Sequence, residues 1–395
     1  MLSKNLKHYL LIMLLTLITA LLTGGEVFYM FLIFETVLLL SMYIIQRKNA
    51  KNIFPFLDLM HKEIYYNDQI KINFDCHNSG PLPIAEGILT FSIENDYYNI
   101  PFEPVIASIK GYGRVVVEKN LVNGRRGLYN TGKIRIDYVD PLHLFPKFRA
   151  HEQEIELLVY PRVQKLNYFY LPNAEYYGSH LVKNSNFEDY SSIKKIRKYQ
   201  YGDTLKRVHW KITSKFNELH VKEYALTANP KITLLMNSNH LDYDYKHLEK
   251  VDLAVEVTVS IVEFTLKKEI ETNIVYDFSN EKLVGKDYSA FKLMLKSLTT
   301  FRGNLDIDFY DLVLKESQKL SKNAFLCLVT PSLSHALFKT LISLRKSGTE
   351  ISLVFLHGEE KYANDQISLL KAHNVRCYFV NNSDTLVSIL EGIRS

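Results

Sequence analysis

Residues 197–223 read RKYQYGDTLKRVHWKITSKFNELHVKE, and their patterning organises what lies on either side. Gly202-Asp203 is a turn signal, and Asp203 stands where a helix N-cap belongs, its carboxylate able to accept unpaired backbone N–H groups. Behind it, Leu205, Val208, Ile212 and Phe216 recur at helical spacing, which predicts a helix with one buried face. Lys206, Arg207, Lys211 and Lys215 fall largely outside that stripe. Trp210, the only tryptophan in the chain, lies off the stripe too and is expected to be carried into a core by its own packing partner. Leu219 and Val221 alternate with polar residues and predict a short strand. Between Lys194 and Lys222 there are nine Lys or Arg residues against only Asp203 and Glu218. Such a cluster suits an acidic protein, the anionic inner leaflet of a membrane or nucleic acid. No nucleic-acid motif accompanies it, so an acidic protein partner ranks first, a solvated face second and nucleic acid last.

Toward the N-terminus, two apolar runs dominate. Tyr9 to Leu22 is broken only by Thr16 and Thr19, and Val27 to Ile45 carries one acid, Glu35. These predict helices at about 9–23 and 27–45, a membrane hairpin within residues 1–51, since a bilayer needs about 20 apolar residues and flanking lysines extend a shorter run. Gly24-Gly25-Glu26 connects them without positive charge, whereas Lys4, Lys7, Arg47, Lys48 and Lys51 flank the two ends. The positive-inside rule then places both ends, and the bulk of the chain, in the cytoplasm, as a multi-pass protein of the cell membrane. A cleaved signal peptide is the competing reading, but no A-x-A-like site precedes Gly25 and a second apolar run follows at once. Glu35 is costly at membrane depth and is expected to face Thr16 or Thr19.

Residues 52–165 change to a period of two. Ile70, Ile72, Phe74 and Cys76 alternate with polar residues; Leu89, Phe91 and Ile93, Val115 and Val117, and Ile134, Ile136 and Tyr138 repeat the pattern. Short alternating strands between turn signals predict an all-β, Ig-like sandwich. Arg125-Arg126 offers an anion site, although a solvated loop is the favoured reading. Residues 166–230 form a linker and the 197–223 stretch, with Tyr168 to Lys195 polar, aromatic and loop-like.

After Pro230, strand and helix alternate through residues 231–395. Strands are expected at Lys231–Met236, Asn273–Phe278, Lys282–Val284, Ala324–Val329, Ile351–Leu356 and Val375–Val380, with helices between them. This implies a mainly parallel sheet of Rossmann type covered by helices, with one hairpinned edge strand.

The motif R-x-Y-x-x-G-D, a basic pair, an aliphatic residue, x-W-K, a small residue with a cation, and L-x-V-[KR]-E resembles the signature of bacterial domain-of-unknown-function 58. Arg197, Tyr199, Gly202, Asp203, Trp210, Leu219, Val221 and Glu223 match it residue by residue; Lys206, Lys215 and Lys222 stand where arginine is usual, and His209 where an acid is common. Arg207 completes the basic pair. The stretches 124–129, 140–145 and 159–163 also resemble what precedes the signature in that family. The resemblance implies a membrane hairpin, a β-rich domain and a von Willebrand factor A-like domain. It implies the company of a MoxR-type AAA+ ATPase and of a transglutaminase-like membrane protein.

A von Willebrand A-like domain often holds a divalent ion through D-x-S-x-S, a threonine and a later aspartate, oxygen ligands that suit magnesium. Here the matching positions are Asn237, Asn239 and Leu241, with Thr330-Pro331-Ser332 at the later strand end. The lead carboxylate is an amide and the later acid is missing, so no metal and no cofactor is expected. Asp242 and Asp244 are read as the start of a helix, where acids are common. No nucleophile elbow, Walker A loop, H-E-x-x-H or C-x-x-C occurs. Cys76, Cys327 and Cys377 are widely spaced and expected to be buried thiols. Two functions remain: a non-catalytic, membrane-anchored adaptor, or a hydrolase-like enzyme built around Asp203, His209 and Glu223.

Overall fold

A computed structural model describes residues 3–95, 99–100, 103–122, 125–131, 133–153, 155–171, 188–226, 231–243, 248–279, 283–320 and 325–392. The chain divides into two compact units, Met1–Tyr160 and Pro161–Ser395.

The first unit opens with α1 (Lys4–Thr23) and α2 (Glu26–Asn52), both long and apolar enough to cross a membrane. Gly24, at φ 62°, closes α1 by donating its N–H to the Ala20 carbonyl, a left-handed cap that glycine reaches without steric cost. Between the helices the Thr16 hydroxyl donates to Glu35 Oε2 at 2.7 Å and the Tyr9 hydroxyl to the Glu35 carbonyl at 2.9 Å, so the acid is partnered inside the hairpin. Leu11, Leu14, Leu22, Phe31, Ile33 and Phe34 point outward and are exposed.

Both helices exceed the expected spans. α1 begins at Lys4 because Ser3 caps it, accepting from Leu6 N–H at 3.1 Å, while the same hydroxyl donates to the Leu144 carbonyl at 2.6 Å. α2 runs past Ile45 because its polar end has partners far along the chain. Buried Gln46 donates through Nε2 to the carbonyls of Phe145 (2.6 Å) and Tyr138 (3.1 Å), and buried Asn49 to Pro83 (3.4 Å).

The strands that follow among the described residues are β1 (Ile53–Leu59), β2 (Glu63–Ile64), β3 (Gln69–Asn78), β4 (Ile84–Thr90), β5 (Ile93–Glu94), β6 (Asn99–Ile100), β7 (Val105–Ile109), β8 (Arg114–Val122), β9 (Gly127–Thr131), β10 (Lys133–Val139), β11 (Lys147–Glu152) and β12 (Glu156–Val159). They pair as β1-β3-β8, β11-β10-β4-β7 and β2-β12-β9-β5-β6. β1 and β3 alternate buried and exposed side chains along their length, which puts Ile53, Leu57, Ile70, Ile72, Phe74 and Cys76 into one core with Leu89, Ile134, Ile136, Tyr138 and Leu157. The stretch 140–145 is the turn on which the hairpin rests. Buried Asp140 accepts from the N–H groups of Leu142 (3.0 Å) and Phe145 (2.6 Å), and the Tyr43 and Phe145 rings meet edge-on at 5.7 Å.

The second unit begins with a strap, 161–171, packed against its own α/β body. Gln164 donates to the Ser383 carbonyl at 2.6 Å and to Glu256 Oε1 at 2.7 Å, and buried Phe169 stacks near Phe325 and Tyr378. The expected irregular stretch from 168 to 195 lies outside the described residues at 172–187; from Glu188 onward it is instead β13 (Glu188–Lys198), a long strand paired antiparallel with β14 (His220–Leu226). The short helix α3 (Trp210–Phe216) lies between them.

The α/β body comprises β15 (Lys231–Met236), α4 (Glu249–Lys267), β16 (Glu271–Val275), β17 (Leu283–Gly285), α5 (Phe291–Thr299), α6 (Phe309–Ser317), β18 (Phe325–Thr330), α7 (His335–Lys346), β19 (Glu350–Phe355), α8 (Asn364–Ala372), β20 (Arg376–Phe379) and α9 (Leu386–Leu390). The sheet order is β17-β16-β15-β18-β19-β20, parallel throughout except for the edge strand β17. β15, β18 and β19 are near-continuous buried runs, the signature of strands covered on both faces. α4 is buried without a break from Leu253 to Leu266. Cys76 and Cys327 are buried, and Cys377 is half-buried; burial pushes the Cys76 and Cys377 thiols up to about 12, and the Cys327 thiol up as well.

Candidate functional site

Arg197 and Asp203 fix the shape of the 197–223 stretch. Tyr199 N–H donates to the Leu219 carbonyl at 2.8 Å, continuing the β13–β14 ladder, and the chain then turns through Gly202 at φ 103°. Asp203 accepts from Arg197 through both oxygens (2.7 and 2.8 Å) and from the Gln200 N–H at 2.9 Å. Those bonds, the guanidinium first and the backbone N–H next, hold its carboxyl down to about 2. Asp203 therefore locks the turn to the strand before it and does not cap a helix. The six-residue reach back to Arg197 gives the carboxylate a charged, bidentate partner, which outcompetes orphan N–H groups.

The expected single helix is also broken. Leu205–Arg207 forms one 3-10 turn, and Val208 leaves the helical path to bridge Val221, both residues buried. His209 N–H then donates to the His220 carbonyl at 2.8 Å, and its Nδ1 accepts from Ile212 N–H at 3.3 Å, so His209 is the cap of α3. Thr213 Oγ1 accepts from His220 N–H at 3.0 Å, tying α3 to β14. Because the helix is only two turns long, the two ends of the apolar stripe, Leu205 and Phe216, stay exposed while Val208 is buried and Ile212 half-buried. Trp210 is 66% exposed, Leu205 64% and Phe216 60%; Tyr201 and Leu219 are exposed as well. The expectation that Trp210 enters a core is thus overturned: α3 faces it away from the strand pair.

The acids of the stretch are neutralised locally. Glu223 pairs with Lys195 (3.1 Å) and Arg197 (3.8 Å), and Glu218 with Lys198 (2.5 Å). Among the described residues Lys206, Lys211 and Lys215 make no ion pair, and Lys215 lies 5.8 Å from the centre of the Phe216 ring. The arrangement is an exposed face of aromatic and aliphatic tips interleaved with lysines. Of Asp203, His209 and Glu223, proposed together as an enzyme site, the two acids share Arg197 as an ion-pair partner, whereas among the described residues no hydrogen bond or ion pair joins His209 to either acid.

The positions matching an ion site lie at the carboxyl ends of β15 and β18. Buried Asn237 donates through Nδ2 to Asp242 Oδ2 (2.8 Å) and to Thr330 Oγ1 (2.9 Å), and its Oδ1 accepts from Asn239 N–H (2.9 Å). Asn239 Oδ1 in turn accepts from Leu241 N–H at 2.9 Å, while the Leu241 side chain is exposed. The amide hydrogens point at an acid and a hydroxyl, the groups a hard cation would draw together. Asp242 sits in this network and not at the start of α4, which begins at Glu249; Asp244 lies outside the described residues. No group of three or more His, Cys, Asp or Glu side chains poised for a metal occurs among the described residues.

A cationic cluster at the same edge of the sheet had no signal in the sequence. Lys361 Nζ lies 2.8 Å from His357 Nε2, and Lys250 Nζ donates to Asn381 Oδ1 (2.9 Å) and its carbonyl (3.0 Å). Burial, and then Lys361 and Lys250, hold the His357 imidazole down to about 4. Only the fold brings Lys250 on α4 to Asn381, 131 positions away, and to the neighbourhood of His357.

Residues 195–295 match the family described as Protein of unknown function DUF58. No curated protein matches the chain. Solved structures with similarity include a β-glucosidase from Erythrobacter marinus (9% identity, 27% of this chain and 15% of that one, TM-score 0.19). Others are an alkylpurine DNA glycosylase from Pseudomonas fluorescens (13%, 35% and 41%, TM-score 0.18) and an exo-β-N-acetylglucosaminidase from Vibrio harveyi (7%, 79% and 77%, TM-score 0.19). The chain spans less than half the length of the first two, and scores at this level carry no argument about fold or activity.

Proposed function

We propose that this chain is a membrane-anchored, cytoplasm-facing adaptor or assembly protein that works with a MoxR-type AAA+ ATPase and carries out no catalysis itself. The observation that carries the reading is the hairpin. Two successive helices of spanning length have outward-facing apolar side chains, and the cations Lys4, Lys7, Arg47, Lys48 and Lys51 gather at the ends of the hairpin away from Gly24-Gly25. Within this proposal the β-rich region is an Ig-like sandwich, supported by its short, mainly antiparallel strands. The α/β body is a von Willebrand A-like domain, supported by the parallel sheet with one antiparallel edge strand. Both would present binding surfaces while the ATPase supplies the work. A transglutaminase-like membrane protein is a second proposed partner, on the ground of family resemblance alone.

The enzyme alternative around Asp203, His209 and Glu223 is disfavoured by how those groups are used. A carboxylate held near pH 2 by a guanidinium is a poor general base at neutral pH, and a ring nitrogen spent on a helix cap is not free to relay a proton. A topology test decides the core of the proposal. A reporter fused after Ser395 should be active only as a cytoplasmic fusion, and one inserted at Gly25 only as an external one. External activity of the C-terminal fusion would remove the orientation and the ATPase partnership together. Co-expression with a MoxR-type ATPase should then yield a complex that survives detergent extraction; separate elution of the two would leave the anchor standing and refute the partnership.

A further inference from the structure

We infer that the exposed face of residues 201–216 adsorbs to the anionic surface of the same membrane that its hairpin occupies. The inference rests on the anchored reading above and adds a second, reversible contact to it. Three observations converge. Trp210, Leu205, Phe216 and Tyr201 project into solvent from two tight turns and a two-turn helix. Lys206 and Lys211 directly follow Leu205 and Trp210, Lys215 directly precedes Phe216, and Lys211 and Lys215 share one helix face at a spacing of four. The acids of the stretch are already consumed by Arg197, Lys195 and Lys198, so the lysines are left as net charge.

Tryptophan, tyrosine and leucine beside lysine are the composition of segments that lie at the headgroup boundary, where the ring enters the interface and the ammonium meets lipid phosphate. An acidic protein would account for the lysines but not for four separate apolar tips. A chain already tethered to the bilayer also needs little intrinsic affinity, because the second contact is intramolecular and its effective concentration is high.

Trp210 is its own reporter, being the only tryptophan. The full chain would be reconstituted into vesicles of phosphatidylcholine alone or mixed with phosphatidylglycerol. Trp210 emission, acrylamide quenching and quenching by acyl-brominated lipid would then be recorded. In anionic vesicles Trp210 should shift to the blue, gain quenching by brominated lipid and lose quenching by acrylamide; raising salt should reverse all three. In neutral vesicles it should stay in water. Each of Lys206→Gln, Lys211→Gln and Lys215→Gln should cut the docked-to-undocked ratio roughly fivefold, from the attraction of one cation to an anionic leaflet. Circular dichroism melts of the variants should match wild type, and the salt titration of the unaltered chain stands independently of them. Equal Trp210 exposure in the two lipid compositions overturns the inference, as does shielding that appears only when an acidic polypeptide such as polyglutamate is added. Flotation separates the two readings: a chain that fails to float with vesicles refutes the anchor, whereas one that floats with Trp210 in water refutes only the docking.

Discussion

Asn237→Asp would exchange a built-in donor for a carboxylate at the candidate ion site of the α/β body. The wild-type amide supplies a charge-assisted hydrogen bond to Asp242 and a neutral one to Thr330, both from a side chain with no solvent exposure. Bonds of these kinds contribute about 1.5–3 and about 1 kcal/mol respectively. The substituted side chain would donate neither and would set a second carboxylate against Asp242, so the variant should lose roughly 3–4 kcal/mol without metal, the like-charge contact making up the upper end. The same change assembles two carboxylates, a threonine hydroxyl and an asparagine, a donor set for a hard cation. Magnesium or manganese at about a hundred times its Kd should then restore about 2.7 kcal/mol.

Cys327 is a suitable reporter, since it is fully buried in β18, whose strand ends in Thr330. Its alkylation against urea, resolved by mass spectrometry on the full chain, follows opening of that sheet alone. Wild type should show the same midpoint with and without magnesium. Asn237→Asp should open at lower urea and recover on adding the ion. An Asn237→Asp variant as stable as wild type in chelator would refute the idea that the amide stands in for a cation. A wild-type midpoint that rises with millimolar magnesium would refute it from the other side.

The Arg197–Asp203 lock makes a pH prediction. A carboxyl whose folded value is lowered contributes fully above the ordinary value near 4 and is lost as pH falls toward about 2. Hydrogen exchange at Tyr199 and Asp203, corrected for intrinsic rates, should therefore stay protected down to about pH 4 and open below it, and Asp203→Asn should be less protected at every pH. Trp210→Ala should leave stability within about 0.5 kcal/mol, as for an exposed side chain, and a melt lowered by several degrees would show that the ring is packed. Gly111→Ala would drive its Cβ into the Pro81 carbonyl, a backbone group that cannot swing aside, and should cost roughly 1–3 kcal/mol, read by earlier alkylation of Cys76 in the same unit.

The α/β half was legible because its signals are local. An unbroken apolar run such as 325–329 is a strand buried on both faces, and the predicted strand 351–356 differs from β19 by one residue at each end. The hairpin was legible in kind but not in length, since Gln46 and Asn49 end the apolar run, and their acceptors at Tyr138, Phe145 and Pro83 are invisible to any window of the sequence. The signature was misread for a different reason. Helical periodicity records where apolar side chains would fall, not whether anything covers them, and Leu205 and Phe216 of that stripe stand exposed. Asp203 had two physically reasonable uses, and the choice between them was made by Arg197 on β13, through a pairing with β14 that spans the whole stretch.

The two polar devices that the sequence hid have the same construction. Asp140 binds the N–H groups of the turn behind it, and that turn then offers carbonyls to Ser3 and Gln46 at the foot of the hairpin. Asp203 binds the turn around Gln200, and that turn delivers the chain into the 3-10 segment and α3. In both, a carboxylate accepts from backbone N–H, joined at Asp203 by the Arg197 guanidinium, so that a turn becomes rigid without a large core beneath it. What each rigid turn carries is the part of its unit with the most exposed apolar side chains: the hairpin in one, the Trp210 face in the other. A flexible joint would let such surfaces fold back onto their own unit, burying them at little cost. The turns are therefore what keeps these surfaces available, and loosening either, by Asp140→Ala or Asp203→Ala, should reduce apolar exposure before it reduces stability.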